Sequence, residues 1–112
     1  MAINRVKPLV LTSKASSTVS GTYAAINPNG AEGPVFFLRI TNNSNQSITV
    51  SFDGTNDHEF MLTNTTLVIE TQTNAAPAGK VALFPIGQKV YVKGTAGTGT
   101  IYLSGYYQPI GE

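Results

Sequence analysis

Apolar and polar residues alternate with a period of two along most of this chain. In residues 35–41, Phe36, Leu38 and Ile40 share one face, and Phe37, Arg39 and Thr41 share the other. In residues 47–52, Ile48, Val50 and Phe52 alternate with Thr49 and Ser51. Residues 88–93 set Val90 and Val92 against Tyr91 and Lys93, and residues 100–106 set Ile101 and Leu103 against Tyr102, Ser104 and Tyr106. Such alternation on β-branched and aromatic residues predicts half-buried antiparallel strands. Residues 65–71 and 80–85 read as shorter, more fully apolar strands, and 5–11 and 20–25 as weaker ones. No segment carries the 3.6 period of an amphipathic helix longer than about ten residues.

Turn chemistry punctuates the strands. Asn27-Pro28-Asn29-Gly30 and Glu32-Gly33-Pro34 bracket a loop ahead of the strongest strand. The polar residues 42–46 predict a hairpin between the strands on either side, and Asp53-Gly54 closes the second of them. Residues 59–62 then pair back, and the glycine-rich stretch 94–99 predicts a closing hairpin between the last two strands. Turns about every 8–12 residues imply an all-β antiparallel β-sandwich of about eight strands, jelly-roll or immunoglobulin-like. The whole chain, 1–112, reads as one domain, with 1–34 as an extended N-terminal arm plus edge strands.

Composition narrows the function. Only 12% of the residues are charged, against roughly 25% in soluble globular proteins. Thr, Asn, Ser and Gly fill the difference. There is no Cys, which excludes disulfides, thiolate metal sites and a cysteine nucleophile. A net charge of +1 gives no general attraction to nucleic acid or to an anionic membrane. No apolar run has the length of a signal peptide or a membrane helix, so the expected place of synthesis is the cytoplasm. The charges are sorted along the chain: residues 1–14 carry +3 (Arg5, Lys7, Lys14), residues 15–79 carry −4, and the remainder +2. That order suits a basic N-terminal segment meeting a neighbour's acidic middle in head-to-tail assembly.

Candidate chemistry is sparse. Residues 53–59 gather Asp53, Asp57, His58 and Glu59, yet they lack the ligand order of a calcium loop. The one His cannot build a zinc site with no second His or Cys. Asp57, His58 and Glu59 read instead as a solvated turn available to a partner, where the charge of His58 would make packing pH-sensitive. Residues 94–100 have the glycines of a phosphate loop but not the order, because Lys93 precedes them and a strand follows. No Ser stands beside a base–orienter pair, so no enzyme activity and no cofactor are expected. Tyr91 and Tyr102 are placed on the outward faces of adjacent strands, as a cross-strand pair or as an exposed strip for a neighbouring subunit or a sugar.

Two segments resemble proteins of a known class. Residues 47–60, S-I-T-V-S-F-D-G-T-N-D-H-E-F, resemble a phrase of the form S-x-D-G-x-x-D-H common in small structural proteins of tailed bacteriophages. Residues 89–107, K-V-Y-V-K-G-T-A-G-T-G-T-I-Y-L-S-G-Y-Y, look like the closing hairpin of such virion proteins. The two cover about a third of the chain. The resemblance implies a non-enzymatic, homo-oligomeric capsid-decoration, neck or tail component, assembled in the host cytoplasm and contacting itself and other virion proteins. A carbohydrate- or receptor-binding fibre module is the alternative, and it requires the Tyr91/Tyr102 strip. The interface residues this reading selects are Arg5, Lys7, Lys14, Asp57, His58, Glu59, Tyr91 and Tyr102. Low charge fits assembly, because charged side chains are depleted at interface cores.

Overall fold

Nine strands are present in a computed structural model that describes residues 6–71 and 83–108. They are β1 (Lys7–Pro8), β2 (Thr12–Ala15), β3 (Ala24–Ala25), β4 (Val35–Ser44), β5 (Ile48–Ser51), β6 (Glu59–Met61), β7 (Thr65–Glu70), β8 (Tyr91–Gly94) and β9 (Gly99–Tyr107). One sheet runs β1-β9-β4-β7, with β2 also on β9, and the other runs β3-β8-β5-β6. All pairings are antiparallel. Because β1 and β2 lie along the same partner, they act as one interrupted strand. The pairs then nest: β1/β2 with β9, β3 with β8, β4 with β7, β5 with β6. This is a long hairpin rolled into two sheets, the jelly-roll order rather than the immunoglobulin one.

The alternating residues build the core as their period requires. Leu38 and Ile40 of β4 and Ile101 and Leu103 of β9 meet Ile48 and Val50 of β5 and Val90 and Val92 beside and within β8. Met61, Val19, Ile26 and Ala31 are buried in the same cluster. A bulge between Val35 and Phe37 changes the phase of β4, so Val35 is buried while Phe36 is only half-buried. Past Ile40 the inward face continues through Asn42 and Ser44, which are buried polar residues.

Two predicted pairings are corrected. Residues on either side of 42–46 do not form a hairpin: β4 and β5 belong to different sheets, and 45–47 is a crossover between them. The last two strands do not pair either, since β8 lies in one sheet and β9 in the other. In this rolled hairpin the β4–β5, β6–β7 and β8–β9 connections pass from sheet to sheet while β5–β6 stays within one, and alternation alone carries no information about which sheet a strand joins. In the predicted strand 80–85, residues 80–82 lie outside the described residues, and Phe84 makes a single bridge to Val35. Residues 59–62 pair back onto β5 as expected. Residues 6–34 supply edge strands to both sheets.

Candidate assembly surface

The 51–58 loop joins β5 to β6 at one end of the sandwich. Its shape begins with the buried Ser51, whose hydroxyl accepts the Gly54 N–H at 2.9 Å and lies 2.9 Å from Asp53 Oδ1. Asp53 Oδ1 accepts the N–H groups of Thr55 and Asn56, both at 2.8 Å, and Oδ2 accepts the Asn56 amide at 2.8 Å. These bonds, led by the Asn56 N–H, hold the Asp53 carboxyl well below the usual carboxylate range. Gly54 takes φ 80° over the Tyr91 ring, where a Cβ would come within 3.2 Å. His58 Nδ1 accepts the Phe52 N–H at 2.9 Å, and its ring packs on Phe52 with centroids 5.6 Å apart.

Asp57 ties this loop to two other elements. Tyr23 donates its hydroxyl to Asp57 Oδ1, and Lys93 Nζ lies 3.0 Å from the same oxygen. Lys93 also sits over the Tyr23 ring, 4.7 Å from its centroid. The Tyr23 bond and then Lys93 lower the Asp57 pKa. Desolvation and the Asp57 bond push the Tyr23 phenol up to about 12. Asp57 and His58 therefore have partners within their own chain, while Glu59 opens β6 as an exposed residue opposite Val50. Among the described residues no group of three His, Cys, Asp or Glu is placed to hold a metal ion.

The remaining predicted contacts are scattered. Lys7 is exposed on β1 opposite Tyr107, and Lys14 is half-buried on β2 opposite Ile101. Arg5 lies outside the described residues. Tyr91 and Tyr102 stand in different sheets, Tyr91 beside Ala25 and Ser51, Tyr102 between Ser13 and Thr41. They do not form a strip, and the premise of adjacent strands fails with the closing hairpin.

Sequence reasoning passed over a different set. Phe60 of β6, Leu62 of the following turn and Val68 of β7 are 62%, 61% and 51% exposed. They line the side of the sandwich where β6 and β7 are the outermost strands. The signal was available in residues 65–70: Leu67 and Ile69 alternate with Thr66, Val68 and Glu70, so an apolar residue falls on the outward face.

No protein-family model and no curated protein matches this chain. One solved structure is similar to it at 15% sequence identity and a TM-score of 0.44, over 96% of this chain and 91% of the other. It belongs to work describing Bacillus endospore appendages as a family of disulfide-linked pili. The present chain has no Cys.

Two pH effects follow from the loop. Asp53 and Asp57 titrate lower in the folded chain than in the unfolded one, so their ionised forms favour folding above the ordinary carboxylate range near about 3.9. That contribution is lost as pH falls through the depressed values. Asp53→Asn is expected to flatten the acid side of a stability–pH profile measured by urea denaturation; parallel acid limbs in variant and parent would contradict it. For Tyr23 the sign reverses: its raised pKa favours folding below the unfolded value near about 10, and the gain fades as pH rises towards 12. Asp57→Asn is expected to return the Tyr23 pKa towards the ordinary value. Absorbance titration near 295 nm reads this directly, and an unchanged highest tyrosine pKa would refute it.

Proposed function

We propose that this chain is a non-enzymatic structural protein of a bacteriophage particle, a capsid-decoration, neck or tail component that acts as a homo-oligomer through subunit contacts. The observation carrying the assembly part is that both outermost strands on the β6–β7 side expose large apolar side chains, Phe60 on one sheet and Val68 on the other, with Leu62 in the turn between them. Large apolar side chains left exposed beside two sheet edges are surface that a neighbouring subunit can cover. The faces around it are rich in Thr, Ser, Asn and Tyr. Such groups lose less side-chain entropy than Lys or Glu when covered. The phage assignment is supported by the phrasing of residues 47–60 and 89–107. The 51–58 loop serves this role as a rigid corner, its carboxylates engaged with its own backbone, Tyr23 and Lys93.

Electron microscopy of particles made with and without the gene tests the assignment. The expected result is a repeating density, present in one set and absent or lost with its assembly step in the other. Unaltered particles whose protein content never includes the chain would overturn it.

A further inference from the structure

We propose that the outer edge of β7 pairs antiparallel with β7 of a second copy of this chain, about a two-fold axis through Val68. This deepens the assembly reading above and rests on it.

The phase of the ladder identifies the free groups. The Thr71 N–H bonds Phe36 O at 2.9 Å, and β4 and β7 keep one register from Phe37↔Glu70 to Asn42↔Thr65. Bonded pairs alternate along an antiparallel ladder. Residues 65, 67, 69 and 71 therefore direct their N–H and C=O groups at β4, and Thr66, Val68 and Glu70 direct theirs away from it. Among the described residues nothing pairs with that side. This edge is T-T-L-V-I-E, six residues of which Thr65, Thr66, Val68 and Ile69 are β-branched, with one charge and no Pro.

The other sheet edges are protected or short. β3 has two residues, and β6 has three beginning with Glu59. The β1–β2 edge is interrupted at residues 9–11, contains Pro8, and carries Lys14 on the core-facing side opposite Ile101. Short strands, bulges, Pro and inward Lys are the devices that blunt an edge. β7 lacks them, and the strand able to match its length and outward groups is another β7.

Charge selects the register. With Val68 on the axis, Val68 meets its own copy and Thr66 meets the partner subunit's Glu70. Three residue pairs then exchange six backbone hydrogen bonds. Arg39 stands opposite Val68 on β4, so the partner's Glu70 enters the row beside it and opposite charges alternate across the joint. Centring the axis on Glu70 would instead oppose two like charges.

Single cysteines in the full, cysteine-free chain test this. Across a bonded antiparallel pair the Cα atoms lie about 5.5 Å apart, inside the disulfide range of about 4.4–6.8 Å. Val68→Cys should cross-link to a covalent dimer under mild oxidation, whereas Thr66→Cys, two rows from its own copy, should not. Val68→Pro removes an outward N–H without touching the β4 ladder and should weaken self-association roughly tenfold or more while the circular dichroism spectrum is kept. If Val68→Pro unfolds, the cysteine pair decides alone. Equal cross-linking at 66 and 68, or none at 68 in a chain that still assembles, overturns the edge and leaves the assembly reading standing. A parent chain that never self-associates removes both.

Discussion

Asn42→Leu is expected to lower the unfolding free energy by about 3 kcal/mol or more, a large share of the roughly 5–15 kcal/mol that holds a domain together. Asn42 is fully buried on the inner face of β4. Its Nδ2 donates to Gln46 O at 3.0 Å and to Leu62 O at 3.1 Å, and its Oδ1 accepts the Ser44 hydroxyl at 2.6 Å. Gln46 lies in the crossover from β4 to β5, and Leu62 in the one from β6 to β7. One amide thus ties two sheet-to-sheet connections to the strand between them. Leucine fills a similar volume and removes two donors and an acceptor. Each buried group left without a partner costs about 1–3 kcal/mol. Ser44 softens the loss, since its hydroxyl also reaches Gln46 O at 2.9 Å. The urea midpoint should therefore fall with little change in slope. A shift equivalent to less than about 0.5 kcal/mol, the scale of an ordinary surface substitution, would contradict the role.

Ile40→Ala is expected to cost about 2–5 kcal/mol. Ile40 has no exposed surface and lies in the layer shared by β4, β9, β5 and β8. Truncation removes three methyl or methylene groups and leaves a cavity between two sheets that are fixed by their own ladders. Val68→Ala, on the outer face of the adjacent strand, supplies the contrast, with less than about 0.5 kcal/mol expected in the isolated chain. Thermal unfolding of both variants checks the pair, and equal melting temperatures would refute the assignment of inner and outer faces.

The two faces were legible in the sequence because a strand's side chains alternate. Leu38, Ile40, Ile48, Val50, Val90, Val92, Ile101 and Leu103 sit inside where the period of two placed them. Strand order was not legible. Residues 42–46 have the composition of a hairpin turn, and the same composition serves a crossover once Asn42 and Ser44 turn inward to bond the Gln46 carbonyl. Buried Asn42, Ser44 and Ser51 read as surface residues from composition because polar residues beside a turn are ordinarily solvated, whereas here they turn inward onto Gln46 O, Asp53 and the Gly54 N–H, and Asn42 also reaches Leu62 O. The phase of β4 at its start was also missed, since the bulge at Val35 inserts a residue without a sequence marker such as Gly.

The candidate site shows the same division. Asp53-Gly54 was recognisable as a turn, and its capping bonds follow from the short carboxylate side chain. The engagement of Asp57 with Tyr23 and Lys93 was not visible, because it joins residues 34 and 36 positions away through the roll of the sheets. Tyr91 and Tyr102 would share one surface only if consecutive strands paired, and β8 and β9 lie in different sheets. The β6–β7 margin escaped notice because Phe60, Leu62 and Val68 come from an edge strand, a turn and a second edge strand.

The proposed self-association of this domain is open to light scattering on the purified chain over a hundredfold range of concentration. Mass should rise with concentration from 11.8 kDa to a multiple of it, as mass action requires for a self-associating chain. A constant mass of 11.8 kDa across the whole range would rule out self-association of the chain.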